Sequence, residues 1–314
     1  MMTNNEIESI RNAIIGVIKF PETKQNDGVT YYADYIELYA LSKKSEVSKS
    51  DIIKYFYNTE VSESEESSSK TNDAHESYVN ECFDEIKRRM HVFRRKYPFE
   101  ICPGSQDAFK LVEKLSCDQI FYLQLLISSK LSIFKNYESD FTTDFEKISA
   151  WVLKRYLPRR ATKIIPLGAN TTIRGNAIQK IQEVAKRLNA TPLPALQSIT
   201  GTKEYGVDII AHIPFKDGSG NRSVYYCQCG CGKDIKDKCG DPQKWDKLIL
   251  LQSINPQIIV FFPYTYIGSN GKIFHEPKFI GNPLIFERKR ILDYCKGERC
   301  EGMKSYTITK SLVI

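Results

Sequence analysis

The segment from Gly206 to Gly230 constrains the fold most, because it reads as a β-hairpin whose two arms are both mostly apolar. Its first arm is Val207-Asp208-Ile209-Ile210-Ala211-His212-Ile213-Pro214-Phe215, and its second runs from Ser223 to Cys229. Between them, Lys216-Asp217-Gly218-Ser219-Gly220 supplies the residues that a tight turn with positive φ requires. If Lys216 faces Gly220, Asp208 falls directly across from Gln228. Side chains alternate along a strand, so both then reach one face of the sheet. A slip of one residue would place them on opposite faces.

The surrounding pattern places this hairpin in an α/β domain. Phe141, Phe145, Ile148, Val152 and Tyr156 form a helical stripe that Pro158 ends. Thr162–Leu167 predicts a short strand, Ile178 to Leu188 a helix, Pro242–Gln252 a helix and Gln257–Phe262 a buried strand. Leu284–Tyr294 reads as helical. The first part of the chain reads differently. Ile7, Ile10, Ile14 and Ile18 have helical spacing, and the tyrosine-rich stretch 31–57 predicts helices broken near Lys43-Lys44-Ser45. Glu60–Ser77 is rich in Ser, Glu and Asn without apolar periodicity and is expected to be a flexible linker. Helices are predicted over Tyr78–Tyr97, Gln106–Leu115 and Asp118–Phe134, with Arg88, Arg89, Arg94, Arg95 and Lys96 as cations suited to a helix carboxy terminus. The expected organisation is an all-helical domain over 1–138, followed by an α/β domain over 139–314.

Charge separates the same two parts. Residues 1–140 carry 18 Lys and Arg against 23 Asp and Glu, whereas residues 141–314 carry 27 against 15. The whole net charge of +7 therefore comes from a strongly basic second part, which suits a polyanion such as nucleic acid. Arg155, Arg159, Arg160 and Lys163 cluster where a helix gives way to a strand, and they are candidate contacts to DNA phosphates. Hydrophobic residues make up 41% of the chain, which excludes a disordered or fibrous protein. No stretch approaches the roughly 18 unbroken apolar residues of a membrane span, and the first residues lack a secretory pattern, so a cytoplasmic setting is expected.

Asp208 and Gln228 together offer a carboxylate and an amide oxygen, hard ligands for a divalent cation such as Mg²⁺. Such a cation would stabilise charge on a phosphodiester under attack and acidify a bound water, while a nearby lysine orients that water. In these residues the chain resembles the PD-(D/E)XK, or restriction-endonuclease-like, superfamily. That family carries an acid on one hairpin strand, then Glu-x-Lys or Gln-x-Lys on the next. Asp208 matches the acid and Gln228 the Glu/Gln position, and the likeness spans roughly residues 140–265. Its helix before the hairpin often adds an acid, a place that Glu146 fills. The lysine position falls at Gly230; family members relocate this lysine, and Lys233 is the first choice here, with Lys238 and Lys244 behind it.

The resemblance implies a mixed sheet flanked by helices and hydrolysis of DNA phosphodiesters with Mg²⁺, for which Mn²⁺ can substitute. It also implies a setting such as restriction or anti-phage defence, with a homodimer or a gating partner protein. Two other readings stand beside it. Glutamine in place of glutamate and glycine in place of lysine suit a nucleic-acid-binding module that does not cut. Cys227, Cys229, Cys231 and Cys239 number enough for a structural Zn²⁺ in an interaction protein, although alternate residues on one strand chelate one ion poorly. Cys295 and Cys300 could join that set. His212 shares the face of Asp208 and reads as a packed residue.

Overall fold

The computed structural model of the chain describes residues 2–18, 28–43, 45–57, 65–105, 107–199, 205–219, 222–232, 239–252, 255–268, 270–272 and 282–313. The chain is mixed α/β and divides into two compact units. The first comprises Met1–Asn136, Tyr264–Lys272 and Lys296–Ile314; the second comprises Tyr137–Pro263 and Ile273–Cys295. The second unit thus begins two residues before the sequence-based boundary, and the chain's last helix groups with the first unit. No helix among the described residues is long and apolar enough to cross a membrane.

In the first unit, α1 (Asn4–Ile18), α2 (Gly28–Lys43), α3 (Lys49–Tyr57), α4 (Glu65–Phe93) and α5 (Cys117–Ser128) surround a small sheet. This unit is not all-helical. Its strands β1 (Val47–Ser48), β2 (Phe99–Ile101) and β3 (Ala108–Leu111) pair antiparallel in the order β1-β3-β2. Residues 108–111 were expected in a helix. The run is too short to separate the two periods, and Gly104, at a φ of +82°, permits the tight reversal that returns β3 onto β2. Helix α4 starts at Glu65, inside the stretch expected as a linker; residues 60–64 of that stretch lie outside the described residues.

Arg89 was read as a cation at a helix end, but it is fully buried. Its guanidinium donates to Asp34 at 2.8 Å, Glu37 at 2.7 Å, Glu85 at 3.0 Å and the Thr30 carbonyl at 2.8 Å. Tyr97 and Tyr122 donate their hydroxyls to Glu37, at 2.6 and 3.0 Å. Lys130, also buried, lies 3.3 Å from Asp34 and 3.3 Å from the Tyr31 ring centroid, with Tyr35 and Tyr264 each 5.0 Å away.

The second unit is built on a five-stranded sheet. Its strands are β4 (Lys163–Pro166), β6 (Ile209–Ile213), β7 (Ser223–Cys229), β9 (Gln257–Phe261) and β10 (Leu284–Phe286), in the order β10-β9-β7-β6-β4. The β4–β6 and β6–β7 pairs are antiparallel, whereas the β7–β9 and β9–β10 pairs are parallel. α6 (Glu138–Tyr156) packs on β4, β6 and β7. On the opposite face Ile165, Ile210, Val224 and Tyr226 join Ile181, Val184, Ala185 and Leu188 of α7 (Ala177–Leu188) around the buried Trp245. α7 is closed at its start by a reciprocal Asn176–Gln179 capping box.

Two expectations are corrected here. Residues 241–247 form a 3₁₀ turn, followed by β8 (Ile249–Leu250), which pairs with β5 (Thr191–Pro192), in place of a helix over 242–252. Leu284–Phe286 is a strand and α8 begins only at Arg288 (Arg288–Tyr294), because β9 offers its outer edge to those three residues. α9 (Lys304–Val313) belongs to the first unit.

Candidate metal and nucleic-acid site

The hairpin adopts the register in which Lys216 would meet Gly220: Ile209 pairs with Cys227 and Ile213 with Ser223. One step beyond this ladder, the same register would bring Asp208 level with Gln228. There the ladder is irregular, because the Asp208 N–H bonds to the Cys227 carbonyl at 2.9 Å although Cys227 is already the partner of Ile209. Two residues opposing one is the pattern of a β-bulge, which re-aims the side chain it carries. Asp208 Oδ2 accepts the Cys229 N–H at 2.7 Å. Gly206, just before, has a φ of +77°, and a Cβ there would lie 2.3 Å from Asp241 Cβ, so this approach to Asp208 requires glycine.

Glu146 reaches the same place from α6. Its Oε2 accepts from Asn170 Nδ2 at 3.2 Å and the Asn170 N–H at 3.4 Å, and Asn170 Nδ2 also donates to the Thr143 carbonyl at 2.8 Å. The carboxylate lies so close to Gly168 that a Cβ at 168 would be 2.5 Å from Oε1 and 2.6 Å from Oε2. The N–H groups of Leu167 and Gly168 donate to the Asp208 carbonyl at 2.8 and 3.1 Å. The loop after β4 therefore ties the α6 acid to the hairpin acid. Gly168 and Asn170 were not singled out from sequence; the signal was a Gly-x-Asn loop directly after a strand.

Cys229 reports both acids. Burial drives its thiol well above the ordinary range, the Asp208 charge adds to this, a hydrogen bond from Ser149 opposes it, and Glu146 raises it further. Cys227 is raised by burial and then by Asp208. Neither thiol is poised as a nucleophile. Among the described residues, no group of three or more His, Cys, Asp or Glu side chains is arranged to hold a metal.

Gln228 is 6% exposed, and its Oε1 has no hydrogen-bond partner among the described residues. An orphaned buried carbonyl costs about 1–3 kcal/mol. Gln228 shares its face of the sheet with Val224 and Tyr226, against α7, whereas Cys229, Ser149 and Glu146 lie on the α6 side. The carboxylates of Asp208 and Glu146 are hard oxygen donors of the kind that Mg²⁺ or Mn²⁺ takes. Gly230, at the family's lysine position, donates its N–H to Phe261 at 2.9 Å and continues the sheet. Lys233 and Lys238 lie outside the described residues. Lys244 is exposed and paired with Asp241 at 2.6 Å.

Arg155, Arg159, Arg160 and Lys163 are all exposed, and none has an ion-pair partner among the described residues. The turn that carries them is fixed by Pro158, whose carbonyl accepts the Ala161 and Thr162 N–H groups and the Thr162 hydroxyl, each at 3.0 Å. The chain has no significant match among family models, curated proteins or solved structures.

His212 is 6% exposed and its Nδ1 has no partner among the described residues. Burial, then the Arg222 and Lys163 charges, hold its pKa near 4 instead of 6.5. With the folded pKa depressed, the unfolded chain takes up the proton first. This contribution to stability is therefore complete above about pH 6.5 and lost as pH falls towards 4. The His212 C–H resonance is expected to titrate with a midpoint near 4; a midpoint near 6.5 would contradict the burial.

Proposed function

We propose that the second unit is a metal-dependent nuclease of the restriction-endonuclease-like kind that hydrolyses DNA phosphodiester bonds. The observation that carries this reading is the convergence of Glu146 and Asp208 through the 167–170 loop. Asp208 and Glu146 would hold Mg²⁺ or Mn²⁺. The cation would supply a Lewis acid that stabilises phosphate charge and acidifies a bound water. Asp208 is held in place by the Cys229 N–H, and Glu146 by Asn170. A lysine of the segment after β7, Lys233 first, orients the attacking water. The exposed Arg155, Arg159, Arg160 and Lys163 retain the DNA backbone without reading its sequence.

The close approach at Gly168 gives one test. Gly168→Val is expected to displace the Glu146 carboxylate and to reduce metal-dependent cleavage about tenfold or more, in the range seen when the support of a metal ligand is lost. Cleavage at the unchanged rate, with the fold intact by circular dichroism, would remove Glu146 from the site.

Glycine at 230 and glutamine at 228 favour a second reading, a module that binds DNA without cutting it. It predicts salt-sensitive retention of DNA in EDTA and no product with any divalent cation. Incubation of supercoiled DNA with the purified chain and Mg²⁺ distinguishes the two.

A further inference from the structure

At the other end of β6 from Asp208, Lys163, already read as a backbone contact, and two groups that the nuclease reading leaves unused lie on one side of the sheet. Lys163 of β4 pairs with His212 of β6, which pairs with Val224 of β7, and Arg222 precedes Val224 by two residues. Lys163 is exposed and has no ion-pair partner among the described residues. His212 and Arg222 are each only 6% exposed. Arg222 donates through Nε to Ser219 at 3.1 Å and through Nη2 to the Ser219 and Gly218 carbonyls at 2.6 and 3.3 Å, leaving Nη1 without a bond among the described residues. Asp217 accepts the Ser219 N–H at 2.9 Å, the first of the interactions that lower its pKa, and the Arg222 charge is the last of them. Arg159 and Arg160, in the turn that leads into β4, add two more cations with no ion-pair partner among the described residues.

We infer that Lys163, His212 and Arg222 form a phosphate-binding subsite for the nucleic-acid backbone, separate from the metal site. A buried imidazole whose Nδ1 has no partner among the described residues, flanked by two cations, is an arrangement that an anion completes. It receives the imidazole N–H and the open guanidinium N–H and offsets the positive field. Burial first, and then that same field, depress the titration of His212. Four residues of strand separate Asp208 from His212, about 13 Å at the rise of a β-strand. That distance corresponds to about four steps of a DNA duplex, so one bound backbone would span both places. Its assignment to nucleic acid rests on the proposed nuclease reading, whereas the affinity for phosphate does not.

The test uses the full chain in EDTA. The chain has four histidines, and the His212 resonance is assigned by its loss in His212→Gln. Titration with inorganic phosphate is expected to move that resonance to saturation, and a duplex oligonucleotide is expected to move it in the same way. Lys163→Ala, at an exposed position that leaves the hairpin alone, is expected to weaken phosphate binding and to reduce the salt slope of DNA retention by about one. Phosphate and DNA both leaving His212 unmoved, or an unchanged slope in Lys163→Ala, would overturn the proposal. Movement by phosphate alone would overturn its nucleic-acid part. Movement by DNA in a chain that never cuts DNA would support the subsite and sink the nuclease reading instead.

Discussion

Arg89→Met is expected to destabilise the first unit by about 3–5 kcal/mol, the loss that follows when one partner of a buried ion group is removed. Arg89 is the hub of the group: Asp34, Glu37 and Glu85 all accept from it, and all three carboxylates are buried. Burial opposes its charge, yet Glu37, Asp34, Tyr122 and Glu85 together hold its pKa well above the ordinary arginine range. Without the guanidinium, Lys130 and the Ser129 hydroxyl on Asp34, Arg88 on Glu85 and the Tyr97 and Tyr122 hydroxyls on Glu37 remain, and Glu37 is left without a cation among these partners. A loss of this size is a large part of the 5–15 kcal/mol typical of a folded domain, so Arg89→Lys is the accompanying variant. It keeps the charge but loses the fork of donors, and an intermediate loss is expected. Urea denaturation measures both. A loss below about 1 kcal/mol in Arg89→Met would show that the group contributes nothing net.

Asp208→Ala is expected to reduce DNA cleavage by about a thousandfold or more, since it removes a proposed ligand of the cation on which the chemistry depends. This variant also leaves the half-buried Cys229 N–H without its acceptor, which alone costs up to about 1–3 kcal/mol. Asp208→Asn separates the two effects, because its amide oxygen can still accept from Cys229 while the negative charge is gone. The nuclease account therefore predicts that Asp208→Asn folds as the wild type does, retains DNA in EDTA and does not cut. Equal cleavage by Asp208→Asn would take the role from Asp208.

The sequence located α6, β4, α7, β6, β7 and β9, because each carries a helical stripe or a short apolar run bounded by turn residues on its own segment. The hairpin register followed from its turn, since the number of residues between the arms determines which positions meet. β10 was missed for a physical reason: three apolar residues become a strand only because β9 lies beside them, and a partner distant in sequence leaves no local mark. β3 was misread because Ala108, Phe109, Leu111 and Val112 fit a helix as well as a strand.

At the candidate site, Asp208 and Glu146 were legible as acids in the expected frame. The bulge at Asp208 and the Gly168–Asn170 loop that joins the two were not, since a bulge is created by pairing and not by composition. The buried network of Arg89 was hidden for a similar reason. A helix-end arginine is ordinarily solvated, and only the packing of α2 against α4 encloses this one.

The measurement that tests the central claim most directly is conversion of supercoiled plasmid DNA by the purified full chain in Mg²⁺, Mn²⁺ or EDTA, beside Asp208→Asn. The account predicts nicked or linear product with either cation, none in EDTA and none from the variant. Product that persists in EDTA, or that the variant forms as fast as the wild type, would contradict it.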